Sequence, residues 1–270
     1  MPASHSSLDS LPSMLAMVHV RALPGTPRST LSLDEIVETA LRETATLVAL
    51  GCEGVIIENM HDTPYVNDVG PEIVASMARV GCAIRAAHPD VFLGVQILSG
   101  SNVGALSVAL ACGAQCIRAE NFVFAHVADE GLMPTASAGH LLRERRRLGA
   151  TDIAILADIK KKHASHALTS DISLTEAARG AAFFGADGLV VTGTHTGEPT
   201  SVEDLRKVRD ASSLPLLVGS GATPESSGAL LEHADALIVG SYLKRDGIWS
   251  SELDEQRIAS MAESVRSARA

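Results

Sequence analysis

The sequence predicts a single closed (β/α)8 barrel, an α/β fold of the TIM-barrel class, and three observations carry that expectation. Short β-branched runs alternate with helical patterns along the whole chain, the units number eight, and no linker or composition break divides them. The length of 270 residues suits a barrel, which uses about 250 residues as one domain. An open doubly wound sheet is the alternative and normally has fewer units. Residues 1–12 read as a flexible N-terminal tail and 13–270 as the domain.

Strands are expected at 14–20, 54–58, 91–97, 115–120, 152–158, 187–192, 215–218 and 235–240. They are rich in Val, Ile and Leu without strict alternation, as in a parallel sheet buried on both faces. Helical spacing follows each; in the first helix Ile36, Ala40 and Leu47 recur at three-to-four-residue intervals and their multiples. Ser32-x-x-Glu35, Ser173-x-x-Glu176 and Thr200-x-x-Glu203 have the form of capping boxes, and Thr223-Pro224 places a cap before a proline. Gly51, Gly113, Gly149 and Gly185 stand before strands, where a left-handed residue ends a helix. Helix-to-strand connections are short, whereas 21–32, 59–70, 121–135 and 159–172 are long. Long loops on one rim place the chemistry at the C-terminal ends of the strands.

Composition narrows the partners. Lys and Arg number 22 against 32 Asp and Glu, a net charge of −10. That balance argues against nucleic acid or an anionic membrane surface, while a few local donors still suffice for an anionic small molecule. Aromatic residues make up 3%, too few for a base-stacking platform. No apolar run reaches the ~20 residues of a membrane span. The start, MPASHSSLDSLPSM, lacks the pattern of a secretory signal. The four cysteines contain no C-x-x-C pair, and Cys52, Cys82 and Cys112 read as reduced packing residues. A cytoplasmic protein is the expectation, with a homo-oligomer as a reasonable assembly.

Two glycine turns give the clearest chemical signal. Gly219-Ser220-Gly221-Ala222-Thr223 follows the seventh strand and Gly240-Ser241 the eighth. Glycines let a backbone approach an anion, and barrels often bind phosphate at these two loops. Two tight turns without a ligand are the plain alternative.

Polar residues gather at the other strand ends. His19 and Arg21 close the first; Glu58, Asn59, Met60, His61 and Asp62 the second; Gln96 the third. Arg118 and Glu120 share a face of the fourth, Asp158 and Lys160 of the fifth, and Thr192 and Thr194 follow the sixth. Three readings stand for Glu58, Glu120 and Asp158. They are acid/base work on a sugar or carbonyl compound, a divalent metal such as Mg²⁺ or Mn²⁺, and a structural ion-pair ring with Arg118 and Lys160. In the run Lys160-Lys161-Lys162-His163, Lys160 is expected inward, to stabilise an enolate or phosphate or to form a Schiff base, with Lys161 and Lys162 solvated. His61, His163 and His195 read as loop histidines rather than metal ligands. Zincin, P-loop and dinucleotide-fold signatures are missing.

Six stretches resemble the BtpA family. They are MVHVRALPGTPR (17–28), GVIIENMHD (54–62), LADIKKKHA (156–164), VVTGTHTGEP (190–199), LLVGSGATPE (216–225) and ALIVGSYLKRDG (236–247). The resemblance implies a barrel of the ribulose-phosphate-binding kind with a phosphate site on its rim. The family is named for a factor in photosystem I biogenesis, which implies no particular reaction. Arg118-Ala119-Glu120 departs from the Arg-Val-Asn of many bacterial members, and Lys160–Lys162 is more basic than usual. Two functions follow as expectations. One is an enzyme acting on a phosphorylated small molecule (a sugar phosphate or nucleotide-like compound) by isomerase, lyase or glycosyl-transfer chemistry. The other is a non-enzymatic factor for assembly of a membrane complex.

Overall fold

The computed structural model describes residues 8–161, 164–193 and 200–269. Its strands are β1 (Met14–His19), β2 (Gly54–Glu58), β3 (Phe92–Gln96), β4 (Cys116–Ala119), β5 (His126–Ala128), β6 (Gly131–Met133), β7 (Ala154–Ile159), β8 (Ala164–Ser165), β9 (Gly188–Val191), β10 (Leu216–Val218) and β11 (Ala236–Val239). Eight of them close a parallel barrel in the order β1-β11-β10-β9-β7-β4-β3-β2. Around it lie α1 (Leu33–Ala49), α2 (Pro71–Ala87), α3 (Asn102–Cys112), α4 (Ala138–Arg147), α5 (Leu174–Phe183), α6 (Val202–Ala211), α7 (Pro224–Leu231) and α8 (Glu255–Arg269). The fold is the expected TIM barrel.

Alternation along each strand builds two cores. Leu15, Met17, Ile56, Phe92, Cys116, Leu156, Val190, Leu217 and Ile238 fill the barrel interior. Their alternate neighbours in the pleat, such as Ala16, Val18, Val55, Ile57, Ile155 and Ala157, face the helices. Leu8 and Leu11 pack against the interior cluster. Residues 8–12, expected as part of a tail, are therefore held by the barrel, and 1–7 lie outside the described residues.

The start signals hold at three of four sites. Ser32 and Ser173 form reciprocal capping boxes with Glu35 and Glu176. Thr223 caps α7 ahead of Pro224, its N–H donating to the Ser226 hydroxyl at 3.0 Å. Thr200 departs from expectation: its hydroxyl donates to the Ser220 carbonyl at 3.2 Å, α6 begins after Ser201, and Glu203 pairs with Lys207. At the exits Gly51, Gly113, Gly149 and Gly185 all take positive φ, between 65° and 94°.

The rim carries one element that the strand pattern missed. β5, β6 and β8 form a small antiparallel sheet in the order β6-β5-β8 from the loops 121–135 and 159–172. Its β5–β6 hairpin turns on Asp129 and Glu130, with Gly131 at φ 109°. A buried ion pair lies beneath the last connection, where Lys244 Nζ donates to both Glu43 oxygens at 2.9 Å. Among the described residues no helix is long and apolar enough to cross a membrane. Cys52, Cys112 and Cys116 are buried free thiols; Cys82, expected as a packing residue, is exposed on the outer face of α2.

Candidate functional site

The period of two that fills the barrel also builds the site. One step beyond the last apolar inward residue of each strand comes a polar residue or glycine. His19 follows Met17, Glu58 follows Ile56, Arg118 follows Cys116, Asp158 follows Leu156, Thr192 follows Val190, Gly219 follows Leu217 and Gly240 follows Ile238. With Gln96, Glu120, Ser220, Gly221 and Ser241 they line one cavity of about 530 Å³ at the C-terminal rim. Arg21, His61 and Asp62 lie outside the cavity lining, while twelve of the expected site residues meet there.

Asn59 and Lys160 do not. Asn59 is one residue out of register with Glu58, so it turns away from the cavity. It donates to Asp62 at 2.8 Å and accepts from the Leu98 N–H at 2.7 Å, while Asp62 accepts from the Leu23 N–H at 2.8 Å. This cluster ties three rim loops together. Lys160 sits at φ 50°, and that left-handed kink breaks the alternation after Asp158. The inward lysine is Lys161, whose Nζ lies 3.1 Å from Glu120 with both side chains 9% exposed. The expectation for the lysine run is thus corrected by one position. Lys162, His163, Thr194 and His195 lie outside the described residues.

At the floor Arg118 embraces Asp158, with Nε at 3.0 Å and Nη2 at 3.1 Å from the two carboxylate oxygens. Burial works against the guanidinium charge, but Asp158, Glu58 and Glu120 outweigh it and hold the Arg118 pKa above its ordinary value. Arg118 also explains Gly219. A Cβ at that position would fall 2.6 Å from Val190, 2.8 Å from Thr192 and 3.1 Å from Arg118 Nη2. Glycine there leaves room for the cation beneath the turn. The Gly219 N–H is spent on the Val191 carbonyl at 2.7 Å, so amides available to an anion must come from 220 onward. Gly221 supports that turn at φ 77°, and a short helical turn, Ser241–Leu243, follows β11.

His19 Nε2 stands 3.9 Å from Glu58 Oε2, and its Nδ1 lies 3.0 Å from the Trp249 carbonyl oxygen. A carbonyl only accepts, so that contact puts a proton on Nδ1 and leaves Nε2 the basic nitrogen of the neutral ring. Trp249, missed in the sequence, also lies against His61 at 4.9 Å between ring centroids. Burial, helped by Arg21, Lys244 and Arg28, pushes His61 down to about 4. Tyr65 lines the cavity and donates to the Met60 carbonyl at 2.7 Å. Burial and then Glu58, Glu130, Asp62 and Glu120 raise its pKa, keeping the phenol protonated.

The carboxylates meet the ion-pair reading in part, through Arg118–Asp158 and Lys161–Glu120. Among the described residues no group of three or more His, Cys, Asp or Glu side chains is arranged to hold a metal ion.

Comparison with known proteins gives the family and the fold. An uncharacterised Caenorhabditis elegans protein, described as mitochondrial, is 44% identical over 95% of this chain and 94% of its own. The photosystem I biogenesis protein BtpA of Synechocystis is 33% identical over 93% of this chain and 87% of its own. Among solved structures, (S)-3-O-geranylgeranylglyceryl phosphate synthase from Thermoplasma acidophilum, in complex with sn-glycerol-1-phosphate, shares the fold. It has a TM-score of 0.60 and 16% identity over 99% of both chains. The sequence model of the BtpA family matches residues 11–267, and the chain belongs to the BtpA family.

Proposed function

We propose that the protein is an enzyme acting on a phosphorylated small molecule, its phosphate held by the turns after β10 and β11. One observation carries this reading: those turns share a cavity with His19, Glu58, Arg118, Glu120 and Asp158. Ser220–Ala222 and Ser241 supply donors, and the start of α7 and Arg257 add positive potential on that side.

In this reading His19 Nε2 moves a proton at the reacting carbon or oxygen, and Glu58 stabilises the imidazolium that forms. Arg118, held rigid by Asp158, faces negative charge as it develops on an enolate or alkoxide. Lys161 takes the electrostatic role first assigned to Lys160. Isomerase, lyase and glycosyl-transfer chemistry all use such a set, and fold likeness does not choose among them. The phosphate-bearing ligand of the Thermoplasma barrel supports the substrate class.

The photosystem I biogenesis role of the Synechocystis relative favours a second reading, a non-enzymatic factor for assembly of a membrane complex. Melting temperature measured with inorganic phosphate and with sugar phosphates separates the two. Stabilisation by these compounds, abolished in Gly221→Asp, supports the enzyme. No response to any phosphorylated compound supports the assembly factor.

A further inference from the structure

In the half of the cavity away from the glycine turns Lys161 is engaged by Glu120 and Arg118 by Asp158, and carboxylates outnumber cations. Gln96, 2% exposed at the end of β3, has its Oε1 without a hydrogen-bond partner among the described residues. Glu130, in the β5–β6 hairpin, adds a second buried oxygen, Oε2, without a partner among the described residues. Glu58, at the end of β2, and Glu120, just past β4, come from the two strands that flank Gln96 on β3, and both line the cavity. A buried acceptor without a donor is costly, so a ligand that fills this half regains that cost by presenting N–H or O–H groups. A second anionic group would instead meet carboxylates in a site of low dielectric.

The opposite half has the complementary need. Ser220, 8% exposed, has an Oγ without a hydrogen-bond partner among the described residues, beside the turn proposed for the phosphate. Its hydroxyl is a donor that an anion accepts.

From this polarity we infer that the ligand is a phosphomonoester whose other end is an uncharged polyol or sugar. It is not a bisphosphate or a phosphorylated carboxylic acid. The inference rests on the phosphate site proposed above and adds the chemistry of the far end. Gln96 and Glu130 accept hydroxyl protons there, and Glu58 and Glu120 exclude negative charge.

Isothermal titration of the full chain in EDTA-containing buffer tests it. The probes are inorganic phosphate, three- to six-carbon polyol and aldose monophosphates, and the phospho-acid of matching length for each. The expected result is that at least one monophosphate binds about tenfold or more tighter than both its phospho-acid and inorganic phosphate. Gln96→Leu removes that advantage and leaves the affinity for inorganic phosphate unchanged. Inorganic phosphate binding with no gain from any polyol, or a phospho-acid binding as tightly as its monophosphate, overturns the inference alone. Affinity that appears only on adding Mg²⁺ also overturns it, because the carboxylates then serve a cation. Failure of inorganic phosphate and every phosphomonoester to bind overturns the phosphate site as well.

Discussion

The carbonyl oxygen of Trp249 and the Nδ1 of His19 lie 3.0 Å apart, joining the last rim connection to the first strand of the barrel. The contact sets which ring nitrogen carries the proton, and the other faces Glu58 at 3.9 Å. Two-bond ¹H–¹⁵N correlation spectra should show His19 protonated at Nδ1 throughout the folded pH range. A neutral ring protonated at Nε2 contradicts the assignment.

The Arg118–Asp158 pair is buried, so removing one member strands the other charge. Asp158→Asn and Arg118→Met should each lower unfolding free energy by ~3–5 kcal/mol in urea titrations. Replacing both by apolar residues should recover much of that loss, because no lone charge is left behind.

Lys160 and Lys161 are adjacent and should behave oppositely. Lys161→Met leaves Glu120 buried without its cation and should weaken phosphomonoester binding together with stability. Lys160→Gly relieves a left-handed residue at φ 50° and should be neutral or stabilising by roughly 0.5–1 kcal/mol, with binding intact. Calorimetry on the two variants decides the assignment.

Stability should fall in mild acid. Burial, then Lys161 and His166, lowers buried His126 to about 4 from an ordinary 6.5. The unfolded chain takes up a proton below pH 6.5 that the folded chain refuses until pH 4. The contribution is therefore complete above pH 6.5 and is lost as pH falls toward 4, by about 2 kcal/mol from His126 between pH 7 and 5. Urea midpoints at the two pH values measure the loss. His126→Gln should flatten the profile, with His61 supplying the remaining slope.

Thiol labelling gives an independent check on the packing. Burial pushes Cys52 and Cys116 up to about 12 and Cys112 up to about 11. Only Cys82 should react quickly in the native protein, and all four should react in denaturant. A fast second thiol would place one of the three outside the core.

The barrel was legible because its signals are local. β-branched runs mark the strands, and glycines at 51, 113, 149 and 185 adopt the left-handed exits that their positions imply. The site was legible for the same reason, since a strand read in steps of two carries Leu156 to Asp158 and Ile56 to Glu58. Reading failed where that period stops. Nothing in Asp158-Ile159-Lys160-Lys161 announces a left-handed Lys160, so the wrong lysine was expected inside. Asn59 follows Glu58 directly, but adjacent strand residues face opposite ways, so the two part company at the rim. Cys82 has apolar neighbours in the chain but faces outward on α2. Trp249 and Glu130 come from connections whose path depends on tertiary contacts. The β5–β6 hairpin had a weak signature in His126–Met133, two apolar runs around Asp129-Glu130-Gly131.

The central claim is that an anion sits on the turns after β10 and β11, and a crystal soaked in a phosphomonoester tests it most directly. The expected density is tetrahedral and within hydrogen-bond distance of the Ser220–Ala222 segment and Ser241. An otherwise empty rim at saturating ligand, or density bound elsewhere on the molecule, would contradict it.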